Sequence, residues 1–188
     1  MAWPTRCSRA RASLTLIASQ LLAAPAPAAE QGQLAPAFEL PGIHRATESI
    51  ALTDYRGQVV WLDFWATWCA PCKQSLPAFE KIYEELGPRG FTVIGVNVDE
   101  RPKRVVGRFV AGMQLSFPLV SDRNLETSRA YGVQTMPTAF LIGADGHVIH
   151  EHTGFRKGDS KLNRELIVQA LDARGAAARK GPAVESDA

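Results

Sequence analysis

Residues 58–73 read QVVWLDFWATWCAPCK, and this stretch decides the fold. Its first eight residues are almost wholly apolar, which is typical of a strand buried in a sheet. Two cysteines follow, Cys69 and Cys72, with two residues between them. The spacing of apolar residues beyond them predicts a helix over residues 70–86. The cysteine pair is therefore expected where a central strand ends and a helix begins, the edge at which α/β sheets build their sites.

That position favours redox chemistry at the two sulfurs. The unsatisfied N–H groups and the positive end of the dipole at a helix start favour thiolate over thiol. Such surroundings lower a cysteine pKa from about 8.5 to roughly 3.5–7.5. We predict that Cys69, at the exposed start of the helix, attacks a partner disulfide and that Cys72, one turn inside the helix, resolves the mixed disulfide. Cys69 and Cys72 then form the redox-active disulfide.

Asp63 is an acid inside the apolar strand, six residues before Cys69. Burial with no cation nearby in the sequence raises the pKa of a carboxyl group. We therefore predict that Asp63 is catalytic and accepts or returns the proton of Cys72. The alternative is that Asp63 lies at a strand edge and binds the backbone.

The N-terminus has the composition of a secretory signal peptide, predicted to span residues 1–28. Three arginines and no acid precede an apolar run over residues 14–24, and small residues follow at the positions of a cleavage site. Prolines 25 and 27 end the apolar run well short of the roughly 18–20 residues that span a membrane. An uncleaved anchor is therefore the weaker alternative, and we expect a periplasmic protein.

Removal of the signal peptide changes the cysteine count and the charge. Cys7 leaves with it, so Cys69 and Cys72 remain and no thiol is left for a structural disulfide. The signal carries three of the 21 Lys and Arg and none of the 19 acids, which leaves 18 against 19 and a net charge of −1. This balance gives no reason to expect nucleic acid as a partner.

About 160 residues remain, which suits one domain. We place that domain at residues 34–174, with a flexible lead-in over residues 30–36 and a disordered tail over residues 175–188. Strands alternate with helices along it, which predicts an α/β protein with a mostly parallel sheet closed by an antiparallel hairpin. The further strands are predicted over residues 91–98, 117–121, 138–142 and 147–150, and the further helices over residues 103–113, 125–131 and 160–173.

Two motifs carry a resemblance to a known family. The segment LDFWATWCAPCK at residues 62–73 resembles the active-site strand and helix of the thioredoxin superfamily, and TMPT at residues 135–138 resembles its cis-proline loop. The segment APAFEL at residues 35–40, an added helix between the second and third strands, and the ending at residues 140–146 are similar to the periplasmic TlpA/ResA-type thiol:disulfide oxidoreductases. The resemblance implies a thioredoxin-like fold, a central mixed β-sheet flanked by helices, with an N-terminal extension and an inserted helix.

The resemblance also implies how substrate is bound. Met136 would offer its backbone to an extended substrate chain beside Pro137, whose peptide bond is expected to be cis. Trp68 is expected to belong to the docking surface. In one departure, Ser75 stands where many ResA-like sequences have a glutamate, three residues after the second cysteine.

The expected partners follow from the same resemblance. They are protein disulfides and dithiols as substrates, with a membrane thiol transporter as the reductant. Apocytochrome c before haem attachment is one candidate client, which would link the chain to cytochrome c maturation. We expect a monomer that uses no cofactor and no metal.

Three other functions compete with a thiol:disulfide oxidoreductase. A thiol peroxidase of the related peroxiredoxin group has its threonine further from the cysteine than Thr67 stands here, and needs a peroxide-binding arginine that the sequence does not identify. A copper metallochaperone would use the two thiolates as soft ligands, but no His or Met lies close to them in sequence. A binding module with an inert disulfide is the third alternative.

Overall fold

The computed structural model describes residues 29–43 and 48–179. The predicted signal peptide, residues 1–28, lies outside the described residues, as do residues 180–188. Within the described residues, seven strands and four helices follow one another, with short 3-10 turns at Leu52–Tyr55 and Gly87–Arg89. In chain order they are β1 Glu39–Pro41, β2 Ser49–Ala51, β3 Val59–Trp65, α1 Cys72–Leu86, β4 Phe91–Asn97, α2 Lys103–Met113, β5 Leu119–Ser121, α3 Glu126–Ala130, β6 Thr138–Ile142, β7 Val148–Thr153 and α4 Asp159–Arg179.

Strand β3 lies in the middle of a five-stranded sheet with the order β5-β4-β3-β6-β7. Strand β4 pairs with β3 in parallel and β5 pairs with β4 in parallel, whereas β6 and β7 add antiparallel strands on the other side. All seven residues of β3 are buried, because neighbours cover both its edges and both its faces. The predicted mixed sheet flanked by helices is confirmed.

The helix that carries the cysteine pair is held on the sheet by its apolar face. Four large side chains of α1 recur at intervals of three and four residues and are buried, as an amphipathic helix requires. They are Leu76, Phe79, Ile82 and Leu86. Phe79 stacks on Trp61 of β3 with ring centroids 4.6 Å apart. This contact fixes the helix above the centre of the sheet.

The N-terminal segment differs from the sequence prediction. Residues 30–36, expected to be a flexible lead-in, are bound beside β7. The N–H of Gly32 donates to the carbonyl of Val148, and the N–H of Val148 donates to that of Gln33, both at 2.8 Å. Strands β1 and β2 were not predicted because three-residue strands are too short to show a periodicity. They pair with each other, and Gly42 bridges to Val120 of β5.

The last helix continues further than predicted. Helix α4 ends at Arg179, five residues beyond the predicted domain end at Arg174 and inside the predicted tail. Three alanines in this stretch favour the helix, because alanine has the highest helix propensity. Among residues 29–43 and 48–179, no helix is both long and apolar enough to cross a membrane.

Asp63 is a charged residue type in the most deeply buried strand. It is 1% exposed and pairs in register with Gly95 of β4 and Ala139 of β6, so it lies in the sheet interior and not at an edge. Burial raises the pKa of this carboxyl from the ordinary value of 3.8 to about 8. Asp63 is therefore mostly protonated in the folded protein at neutral pH.

This raised pKa predicts how stability depends on pH. Between about pH 4 and pH 8 the folded chain holds a proton on Asp63 that the unfolded chain has lost, so the free energy of unfolding should fall as pH rises. The expected slope from this group is about 1.4 kcal/mol per pH unit, and it should level off above pH 8. The variant Asp63→Asn cannot titrate and should lack this slope. Urea denaturation of the oxidised protein at each pH unit measures it.

A second variant separates titration from packing in this test. Ile94→Val shortens a fully buried side chain of β4 and should lower the free energy of unfolding by about 0.5–1.5 kcal/mol at every pH. Its free energy of unfolding should change with pH at the same slope as that of the unmodified chain. If Asp63→Asn kept the original slope, the buried carboxyl would not be the group that titrates.

Candidate active site

Cys69 and Cys72 form a disulfide, with their Cα atoms 5.3 Å apart. Residues 70–71 make a turn, so α1 begins at Cys72, two residues later than predicted. The N–H of Cys72 donates to the Sγ of Cys69 at 3.2 Å, and the carbonyl of Cys69 accepts from the N–H of Lys73. The Cys69 sulfur thus receives a donor from the first turn of the helix, an arrangement that stabilises a thiolate.

Access to the two sulfurs is more limited than the sequence indicated. Cys69 was expected at an exposed helix start, but it is only 4% exposed and packs into the core, whereas Cys72 is fully buried. The physical reason is that Cys69 lies in a tight turn, where its N–H donates to the carbonyl of Ala66 at 3.1 Å, and this turn packs the Cys69 side chain among the buried apolar residues. Cys69 remains the more accessible of the two.

Asp63 faces the first turn of α1. Trp61 and Asp63 point to the same side of β3, and Trp61 contacts Phe79 of α1. Helix α1 runs antiparallel to β3, because it returns the chain to the start of the parallel strand β4. Two residues along a strand cover about 6.6 Å, and a helix covers the same distance in four to five residues. Moving from Trp61 to Asp63 along the strand therefore moves from Phe79 toward Cys72 along the helix.

The Asp63 carboxyl has few partners. Its Oδ2 atom is buried and accepts no hydrogen bond within the part of the chain that the structure describes. Ser75, which replaces the glutamate common in ResA-like sequences, is also buried and donates through Oγ to the carbonyl of Cys72 at 3.3 Å. Asp63 is therefore neither ion-paired nor strongly hydrogen-bonded, which agrees with burial as the cause of its raised pKa.

A second buried acid, Asp99, holds the segment before the cysteines, and the sequence analysis missed it. Asp99 follows β4, and its Oδ2 accepts from the backbone N–H of Thr67 at 2.7 Å and from Nδ2 of Asn97 at 2.9 Å. Its Oδ1 accepts from the Thr67 hydroxyl at 3.0 Å. The sequence could have indicated this contact. Parallel strands β3 and β4 end at the same edge of the sheet, so an acid directly after β4 lies close to the loop after β3.

Arg101 closes this network from the solvent side. Its Nε lies 4.0 Å from Oδ1 of Asp99, and it donates through a guanidinium nitrogen to Oγ1 of Thr67 at 3.4 Å. Thr67 stands two residues before Cys69, so Asp99 and Arg101 together fix the backbone that leads into the redox pair. The side chain of Arg101 remains about half exposed.

A groove of about 460 Å³ is lined by Trp68, the residue that precedes Cys69 in the chain. Trp68 and Met136, both predicted to bind substrate, line this groove, and Trp68 is 57% exposed. The remaining lining is mixed, with the apolar side chains Val98, Leu125 and Val133 and the polar or charged residues Asp99, Glu100, Arg101 and Ser128. An exposed indole over a partly apolar groove suits contact with a protein segment.

The loop before β6 forms one side of the site. The Met136–Pro137 peptide bond is cis, as the resemblance implied. The carbonyl of Pro137 accepts from the N–H of Gly154 at 2.8 Å, which ties the loop to the end of β7. Within the described residues the backbone N–H and C=O of Met136 make no hydrogen bond. They are therefore available to pair with an extended chain.

Two histidines lie on β7, on the face that carries Asp63. The ring centroids of His150 and His152 are 6.4 Å apart, and His152 Nε2 lies 3.4 Å from Oδ2 of Asp159 at the start of α4. Across residues 29–43 and 48–179, no group of three or more His, Cys, Asp or Glu side chains is arranged to hold a metal ion.

Comparison with known sequences assigns the chain to a family. Residues 31–151 match the AhpC/TSA family. The thiol-disulfide oxidoreductase ResA of Geobacillus thermodenitrificans is 40% identical over 137 residues, which cover 72% of this chain and 77% of the relative. ResA of Halalkalibacterium halodurans is 43% identical over 107 residues, which cover 57% of this chain and 60% of that protein.

Comparison with solved structures gives the same answer. A Chlorobium tepidum protein assigned as a DsbE thiol:disulfide interchange protein superposes with a TM-score of 0.72 at 39% identity, over 76% of this chain and 98% of that one. The thioredoxin-like fold and the ResA-type resemblance predicted from the sequence are therefore confirmed. The chain belongs to the AhpC/TSA family, among its thiol-disulfide oxidoreductases.

Proposed function

We propose that this chain reduces disulfides of client proteins through Cys69 and Cys72. The observation that carries the proposal is the Cys69–Cys72 pair at the start of α1, with the N–H of Cys72 directed at the sulfur of Cys69. A donor on Cys69 favours its thiolate, and the thiolate is the form that attacks a disulfide. The groove lined by Trp68 and Met136 supplies a surface for the client beside that sulfur.

The proposed reaction proceeds in two exchanges. The Cys69 thiolate attacks a client disulfide, which forms a mixed disulfide and releases one client thiolate. Cys72 then gives its proton to Asp63 and attacks the Cys69 sulfur, so that the Cys69–Cys72 disulfide forms and the second client thiolate leaves. The client gains two electrons and the enzyme loses two. The position of Asp63 under the first turn of α1 supports its role as proton acceptor.

The proposed cellular setting follows from the N-terminal sequence and the relatives. We place the mature chain in the periplasm, as a monomer, after removal of residues 1–28. A membrane thiol transporter would return the Cys69–Cys72 disulfide to the dithiol. Apocytochrome c before haem attachment is the client class proposed first, because its cysteines must be reduced to bind haem.

The division of labour between the two sulfurs is testable by trapping. In Cys72→Ser the attacking thiolate survives and the resolving one is absent, so mixed disulfides with clients should accumulate on Cys69. Cys69→Ser is the matched control and should trap little. Diagonal gels of protein isolated from the periplasm measure both. Equal trapping by the two variants, or faster alkylation of Cys72 than of Cys69 in the reduced enzyme, would contradict the assignment.

The direction of electron flow is testable by the reduction potential of the pair. A reductase should have a potential near that of thioredoxin, about −270 mV, and far below the roughly −120 mV of a strong oxidant such as DsbA. Equilibration with glutathione or dithiothreitol buffers, followed by alkylation, measures it. A potential above about −150 mV would show that the chain oxidises its partners.

The docking role of Trp68 is testable with a matched exposed side chain. Trp68→Ala removes an exposed ring from the groove and should lower the rate on a protein disulfide roughly tenfold, with little effect on a small disulfide. Leu162→Ala removes a side chain of similar exposure, 59% against 57%, from α4 and should change neither rate. The rates with reduced enzyme and oxidised insulin or 5,5′-dithiobis(2-nitrobenzoate) measure both. Equal losses on the two substrates would place Trp68 in the chemistry instead of in docking.

A further inference from the structure

Buried polar atoms without partners concentrate on one face of β3. Within residues 29–43 and 48–179, five buried side-chain nitrogen or oxygen atoms make no hydrogen bond. Three of them belong to alternate residues of this strand, Nε1 of Trp61, Oδ2 of Asp63 and Nε1 of Trp65. Alternate residues of a strand point to the same side, so an unpartnered acceptor lies between two unpartnered donors. Orphaned polar atoms of this kind are rare in folded proteins and call for a functional explanation.

The indole of Trp65 leans toward β4. A Cβ atom built on Gly95 of β4 would lie 3.1 Å from Nε1 of Trp65, so the indole nitrogen occupies the space above this glycine. Gly95 is the register partner of Asp63, and neighbouring strands are about 4.8 Å apart. Nε1 of Trp65 therefore lies over β4 at the level of Asp63, and Gly95 leaves room for it. Stacking on Phe109, with ring centroids 5.6 Å apart, holds the indole there.

The indole of Trp61 leans the other way. It stacks on Phe79 and its ring lies 6.2 Å from that of His152 on β7, the strand beyond β6. Trp61 and Trp65 are thus two fully buried tryptophans on the same face of β3. Their indoles lie on opposite sides of Asp63.

We propose that Trp65 is a positioning residue whose indole N–H donates a hydrogen bond to the Asp63 carboxylate once Asp63 ionises. This inference rests on the proposed function, in which that carboxylate takes the proton of Cys72. The proton moves from the Cys72 sulfur to an Asp63 oxygen, and Cys72 attacks Cys69 as the bond from Cys69 to the client breaks. Both atoms lack a partner among the described residues, and a hydrogen bond between them would satisfy a buried donor and a buried acceptor together.

The other ionisable groups around Asp63 are few. Strands β4 and β6 present Gly95 and Ala139 to it. Helix α1 contributes Cys72 and Lys73, and the Lys73 ammonium lies 6.0 Å from the centroid of the Phe109 ring. Strand β7 and helix α4 contribute the ionisable side chains of His150, His152 and Asp159. Strand β7 lies beyond β6, so its histidines are one strand further from Asp63. None of these side chains donates to Oδ2 of Asp63 among the described residues, and the two indole N–H groups of β3 are the unpartnered donors on the same face of the strand.

The test replaces each indole by a phenyl ring. Trp65→Phe keeps an aromatic ring on Phe109 and removes the N–H, and Trp61→Phe is the matched control. The readout is the titration of the Asp63 carboxyl carbon by NMR in oxidised protein labelled with ¹³C-aspartate, assigned with Asp63→Asn. Loss of a donor to the charged form should raise the pKa of Asp63 by about one unit in Trp65→Phe and leave it within about 0.3 units in Trp61→Phe.

The sign of the shift separates the hydrogen bond from a packing effect. A smaller ring that merely admitted solvent would lower the pKa of Asp63, because solvation favours the carboxylate. An unchanged or lowered pKa in Trp65→Phe, or an equal rise in Trp61→Phe, would overturn the proposal. If Trp65→Phe does not fold, benzothienylalanine at position 65 keeps the indole shape without the N–H and should produce the same rise.

A second readout tests the proposed function independently. The rate at which Cys72 resolves a mixed disulfide should show its inflection about one pH unit higher in Trp65→Phe, with the same plateau. The oxidised protein used for NMR performs no turnover, so its titration reports the Trp65–Asp63 contact alone. If the pKa of Asp63 rose in Trp65→Phe while the pH dependence of the resolution rate stayed unchanged, the Trp65–Asp63 contact would be supported and Asp63 would be rejected as the proton acceptor.

Discussion

The pairing of β3 on both edges is the constraint on which the rest of the structure depends. Its parallel partner β4 and its antiparallel partner β6 bring three chain segments to the same end of the sheet: the end of β3, the end of β4 and the start of β6. The first leads into Cys69, the second into Asp99, and the third follows Pro137. The active site is thus a consequence of strand direction, since reversing any one of these strands would carry its loop to the opposite end of the sheet.

Much of this could be read from the sequence, because long elements show their period. The bounds of β4 and β6 were predicted within one residue, because each is a largely apolar run that stays buried along its whole length. Those of α2 were predicted without error, because its buried residues recur at helical spacing. The positions of Cys69, Cys72 and Asp63 followed from the same reading. Features that depend on contacts between distant segments were missed. Residues 30–36 gain their order from Val148, more than a hundred residues away, and nothing local records that pairing.

The site was predicted less completely than the fold for a related reason. Sequence spacing indicates which residues share an element, and this identified the redox pair and the acid beneath it. It does not show which side chains of different loops meet, so the link from Asp99 to Thr67 across 32 residues went unseen. Cys69 was likewise expected to be exposed, because a helix start is usually solvated, whereas here the turn before α1 packs onto the sheet.

The two buried aspartates show how surroundings decide what one residue type can do. Asp99 accepts three hydrogen bonds and has the Arg101 guanidinium 4.0 Å away, so its charge is met by fixed donors and it serves as an anchor for the loop before Cys69. Asp63 has one oxygen with no donor, and burial raises its pKa to about 8. A buried carboxyl that lacks such donors, as Asp63 does, is held close to the balance between its two forms at neutral pH. Ionisation of this buried carboxyl lowers the stability of the fold as pH rises toward 8, and the same readiness to change its protonation suits the proton exchange with Cys72 that we propose.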